Sequence, residues 1–123
     1  MPRRAIENSD APGLPLSAAV HGGDLLFVSG QIGVDPATGR LVDGGARGQT
    51  ERVLRNIESV LALAGKTLDD VVKANVYLAS MEDFSAMNEV FAKAFRAPYP
   101  ARTTVAVAAL PFGARVEIEV AAR

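Results

Sequence analysis

The hydrophobic period of this chain switches between that of a strand and that of a helix, and the order of the switches limits what it can fold into. From Gln49, apolar residues recur at helical spacing (Val53, Leu54, Ile57, Val60, Leu61, Ala64) with Glu51, Arg52, Arg55 and Glu58 between them. Gly65 stands where a left-handed cap ends such a helix. Val72 to Leu78 then alternates, with Val72, Ala74, Val76 and Leu78 on one face and Lys73, Asn75 and Tyr77 on the other, as a half-buried strand does. A second helix is predicted by the stripe Phe84, Met87, Phe91 and Phe95, with Ser80 or Asp83 to cap its start and Pro98 and Pro100 to forbid its continuation.

Two strands are expected before the first helix, Leu14 to Val20 and Leu25 to Ser29, turning at His21-Gly22-Gly23-Asp24. Asp35-Pro36-Ala37-Thr38-Gly39 reads as a second turn. Two more strands are expected after the second helix, from about Arg102 to Leu110 and from about Ala114 to Ala121, joined at Pro111-Phe112-Gly113 and pairing with each other. This order implies an α+β fold over residues 1–123, one domain with a single mixed β-sheet and both helices on one face. Val42 to Gly48 reads as a flexible loop, rich in glycine.

Two helices cover one side of a sheet. Leu25-Leu26-Phe27-Val28 and Thr104-Val105-Ala106-Val107-Ala108 are apolar or small on both faces, so the second face needs a cover too. Another copy of the chain is the simplest one.

Thirteen basic and fourteen acidic residues interleave along the 123 to a formal charge of -1, so nucleic acid is a poor default partner. With no cysteine and a single histidine, His21, neither a thiolate nucleophile nor a sulfur- or histidine-rich metal site can be built. The chain shows no secretion signal and no apolar run approaching a membrane span, and a cytoplasmic protein is the expectation.

The chemistry must then rest on Arg, Glu, Ser, Thr, Asn and backbone groups. Arg102 leaves the stiff Pro98-Tyr99-Pro100 loop at the start of a strand, and reads either as a surface arginine or as a fork aimed at a carboxylate. Glu117, between Val116 and Ile118, is expected on the face away from the helices together with Arg115 and Glu119. On a covered face such a carboxylate can serve as acid or base. Ser29-Gly30 ends a buried strand, reading either as a turn or as a place where a ligand approaches the backbone. No Gly-x-Ser-x-Gly motif or Gly-Lys-Ser/Thr phosphate loop is present, which argues against a serine hydrolase and against nucleotide hydrolysis. Asn88 reads as a hydrogen-bonding residue of the second helix and His21 as a turn residue.

Taken together, Val28-Ser29-Gly30-Gln31-Ile32, Asp35-Pro36-x-Thr38-Gly39, Val72-Lys73-x-x-Val76-Tyr77-Leu78, Met87-Asn88, Pro100-Ala101-Arg102-Thr103 and Val116-Glu117-Ile118-Glu119 resemble the reactive intermediate deaminase family, YjgF/RidA. The resemblance implies a chorismate-mutase-like fold, a homotrimer with clefts between subunits, and hydrolysis of 2-enamine/2-imine acids to 2-oxo acids and ammonia without metal or organic cofactor. It implies that Arg102 clamps the substrate carboxylate and that Glu117 activates water and relays a proton. Ser29, Gly30 and Asn88 would shape the cleft, and the Thr104 backbone would meet the substrate nitrogen. Leu16 departs from the pattern: Pro15-Leu16-Ser17 stands where the best-known members carry a tyrosine. The resemblance thus leaves open a non-catalytic ligand-binding or regulatory trimer, or a weak endoribonuclease.

Overall fold

The computed structural model describes residues 2–7 and 13–123. Six strands form one sheet in the order β1-β2-β3-β8-β6-β7. In chain order these are β1 (Arg4–Ile6), β2 (Ala19–Gly22), β3 (Leu25–Ile32), then, after a small ribbon of β4 (Val34–Asp35) and β5 (Arg40–Leu41), β6 (Val71–Leu78), β7 (Ala101–Ala106) and β8 (Val116–Ala122). Helix α1 spans Gly45–Leu63 and α2 spans Phe84–Ala94. The sheet is mixed: β7 runs parallel to β6, with α2 as the crossover, and the other pairs are antiparallel. The expected α+β architecture is the one observed.

Both helices lie on one face because one stripe of each is apolar. Val53, Leu54, Ile57 and Leu61 of α1 and Met87, Val90 and Phe91 of α2 join Leu26, Val28, Ala74, Val76, Leu78, Val116, Ile118 and Val120 in a continuous core. Every strand residue in that group sits on the same side of the pleat. The stop of α1 is the one expected. Gly65 adopts φ 70° while its N–H donates to Ala62 O and the Lys66 N–H to Leu61 O, which satisfies the last carbonyls. At the approach to α2, the Ser80 hydroxyl accepts from the Glu82 N–H at 3.2 Å, and Asp83 makes no cap.

Several expectations need correction. The stretch from Leu14 to Ser17 is irregular, and strand begins only at Ala19. The turn is Gly23-Asp24, with His21 inside β2 facing Leu26 in register. β3 continues past Ser29 to Ile32, across a bulge between Val28 and Gln31. Gly45 to Gly48 is no loop but the first turn of α1; a Cβ on Gly48 would collide with the Asp43 carbonyl, so glycine lets the chain close there.

The largest correction concerns β7 and β8, which do not pair. β6 lies between them, and β7 is the outer strand. The open sheet face leaves Phe27 50% and Val105 42% exposed, bare apolar surface on the side away from the helices.

Candidate active site

Arg102 stands opposite Ala74 in the parallel ladder, and Ala74 belongs to the core; its side chain therefore rises on the helix face. There the guanidinium carbon lies 4.8 Å from the centroid of the Phe91 ring and 5.7 Å from that of Phe84. Such a cation over aromatic faces is attracted by their quadrupoles and keeps its donors free for another partner. Burial pulls the guanidinium pKa down from its ordinary value, yet an arginine stays charged near neutrality. The ion pairs among the described residues are Arg47–Glu89, Arg96–Asp69, Arg115–Asp83 and Arg123–Asp24, and none uses Arg102. A cleft of about 290 Å³ opens beside it, lined by Asn88, Phe91, Ala92, Tyr99 and Pro100. Asn88 and Arg102 thus share one pocket. Thr104, two residues along the same face, has a buried hydroxyl with no hydrogen-bond partner.

Glu117 lies on the other side of the sheet. Its register partners are Tyr77 on β6 and Ile32 on β3, and its side chain leans over the β3 bulge. A Cβ on Gly30 would collide with the Glu117 carboxylate, so the bulge glycine makes the room the acid occupies. Next to it the Ser29 hydroxyl donates to the Ser17 carbonyl at 2.6 Å and the Ser29 N–H to Ala18 O at 2.9 Å. These bonds fasten the irregular segment that carries Leu16, itself 46% exposed. Burial pushes the Glu117 carboxyl above its ordinary pKa, and the negative charge of Glu119 pushes it the same way.

The predicted residues therefore form two groups: Arg102, Asn88 and Thr104 on the helix face at the β7 edge, and Glu117, Ser29 and Gly30, with Leu16 nearby in the chain, about the β3 bulge. One chain does not bring them together. Arg115, expected beside Glu117, instead turns its guanidinium to Asp83 at the start of α2, 2.8 Å away. Sequence reasoning missed the Phe84 and Phe91 platform under Arg102. It also missed that Tyr77 and Asn75 hold Glu119, at 2.5 Å and 3.2 Å. Their shared place on the polar faces of two strands was the available signal. No group of three or more His, Cys, Asp or Glu among the described residues is placed to hold a metal ion.

A family model described as Endoribonuclease L-PSP matches residues 7–123. The chain belongs to the YjgF/RidA family. It is 43% identical over 122 residues to the human 2-iminobutanoate/2-iminopropanoate deaminase, covering 98% of this chain and 89% of the relative. A RutC family protein of Pyrococcus horikoshii is 47% identical over 113 residues, which cover 92% of this chain and 90% of that protein. Among solved structures, RidA from a Psychrobacter species superimposes with a TM-score of 0.89 at 43% identity, covering 97% of this chain and 98% of its own. E. coli TdcF with bound serine does so with 0.87 at 35% identity, covering 97% of each chain. The mixed sheet with two helices is thus the fold of other RidA proteins.

Proposed function

We propose that this chain hydrolyses 2-imino acids to 2-oxo acids and ammonia, in a site shared by neighbouring subunits of a homotrimer. The observation that carries the reading is Arg102, a guanidinium with no ion-pair partner among the described residues, in a cleft of small-molecule size on a chain closely related to imine deaminases. A bidentate fork in such a cleft suits an α-carboxylate, and the serine bound in the related TdcF is a small molecule bearing one.

In this reading Arg102 takes the substrate carboxylate while Asn88 and the β7 backbone near Thr104 fix the far end. Glu117 of the neighbouring subunit accepts a proton from water as the water oxygen attacks the imine carbon. Glu117 hands that proton to the imine nitrogen, giving the amino alcohol. It then takes the hydroxyl proton and passes it to the amino group, so that the C–N bond breaks, ammonia leaves, the oxo acid remains and Glu117 is again a carboxylate. An imine carbon is already electrophilic, so orientation and one acid–base group are sufficient and no covalent nucleophile is required. Leu16 in place of a tyrosine leaves the Glu117 side of the cleft more apolar and favours imines with larger aliphatic side chains.

The test is to incubate the purified protein with imino acids generated in place by an amino acid oxidase, and to follow the oxo acid released. Faster turnover of the leucine-derived than of the alanine-derived imine is expected. No release above the uncatalysed rate from any imine would sink the reading, and cleavage of single-stranded RNA in a parallel arm would put the endoribonuclease description in its place.

A further inference from the structure

Two acids share the open face of β8, and the hydrogen-bond donors around them are divided unevenly. Tyr77 sits directly opposite Glu117 in the β6–β8 ladder. Its ring is long enough for the hydroxyl to pass Glu117 and reach the diagonal neighbour, donating to Glu119 Oε1 at 2.5 Å. Asn75 Nδ2 donates to the same oxygen at 3.2 Å. Among the described residues no donor is bonded to the Glu117 carboxylate.

The charges nearby do not even this out. Lys73, also on the open face, donates to the Thr103 hydroxyl at 3.0 Å. Arg115 is engaged by Asp83, and the chain's own Arg102 is on the other face; the Arg102 that would share the cleft with Glu117 belongs to the neighbouring subunit and is taken up by the substrate carboxylate. β3 brings Ser29, Gly30 and Ile32 toward Glu117, none of them titratable.

We propose that Tyr77, Asn75 and Glu119 form a positioning unit for Glu117, in which Glu119 is anchored as a fixed negative charge and Glu117 alone is left to exchange protons with the substrate. This rests on the deaminase reading of Glu117. Two donors occupy one oxygen of Glu119 and hold it in place, while burial and the neighbouring Glu119 charge make Glu117 a stronger base than an ordinary carboxylate. Glu117 leaves each turnover as the carboxylate it began as, and Glu119 exchanges no proton. The rise in the Tyr77 phenol pKa, due first to its bond to Glu119, agrees with an anion held there.

The experiment follows the carboxyl carbon of Glu117 by NMR against pH in the full protein carrying labelled glutamate, the signal being assigned by its loss in Glu117→Gln. In Glu119→Gln the Glu117 midpoint is expected to move to lower pH. The acid limb of the kcat/KM profile moves with it, and kcat falls up to about tenfold with little change in KM. A midpoint that stays put or rises in a folded Glu119→Gln protein overturns the proposal. Should that variant fail to fold, the parent chain still decides: with Tyr99→Phe leaving one phenol, Tyr77 is expected to titrate above 10.0, and titration at or below that value overturns the anchor. Both titrations are read without substrate. Their failure therefore counts against this proposal even where imines are hydrolysed, whereas a parent protein inert to imines counts against the deaminase reading whatever the titrations show.

Discussion

Arg102 brings a positive charge into a half-buried cleft where, among the described residues, no carboxylate meets it, and a site of that kind suits an anion from outside the chain. Replacing it with alanine is expected to remove a charge-assisted fork worth roughly 3 kcal/mol, a loss of more than about a hundredfold in kcat/KM. Lysine should recover little, since a point charge reproduces neither the fork nor the stacking on Phe91. Steady-state kinetics with the alanine-derived imine check both variants. Glu117 presents the opposite situation, an acid whose environment resists its charge. Glu117→Gln should lower kcat about a hundredfold while stabilising the fold. The sign follows from linkage: with the folded pKa raised above the ordinary 4.5, the native state binds more protons than the unfolded chain between the two values, so the parent loses stability as pH rises through that window. The Tm advantage of Glu117→Gln should be absent well below pH 4.5 and grow to a plateau above the window.

At the scale of elements, the β3 bulge ties fold to function. It shifts the register between Val28 and Gln31, so that Gly30 lies under the Glu117 carboxylate and Ser29 reaches back to Ser17. Gly30→Ala should push the carboxylate aside and reduce kcat by about two orders of magnitude, the usual consequence of displacing a reacting group by an ångström. Circular dichroism should show the sheet intact, and an unchanged kcat would mean that the acid works from another position. The helices were readable in advance because Val53, Leu54, Ile57 and Leu61 recur at a period that nothing else explains. The Arg102 and Glu117 strands were misjoined because they are sequence neighbours, although a strand, a helix and a strand at Val71–Leu78, Phe84–Ala94 and Ala101–Ala106 are the components of a parallel crossover. β1 escaped notice since Arg4-Ala5-Ile6 is too short to show a period. The first turn of α1 was hidden by its glycines, whose packing against Asp43 is visible only in three dimensions. The candidate site residues could be picked out one at a time, and alternation with Val116 and Ile118 put Glu117 on its face, but the face of Arg102 depends on its register with Ala74, which the sequence pattern alone left open.

For the whole molecule, the separation of Arg102 and Glu117 onto opposite faces gives a test that separates a shared site from a self-contained one. In a ring of identical subunits each contact joins one surface of a chain to a different surface of the next, so every cleft would take Arg102 from one chain and Glu117 from its neighbour. Chains carrying Arg102→Ala still supply Glu117, and chains carrying Glu117→Gln still supply Arg102. Each variant alone forms only defective clefts. Unfolding and refolding the two together in equal amounts should give, on random assembly, about one cleft in four with both native groups, and so about a quarter of the parent activity. Light scattering on the mixture should report three chains per particle, which checks that exchange gave whole rings. A mixture no more active than the separate variants, at that same mass, would mean that Arg102 and Glu117 do not serve one cleft from two chains.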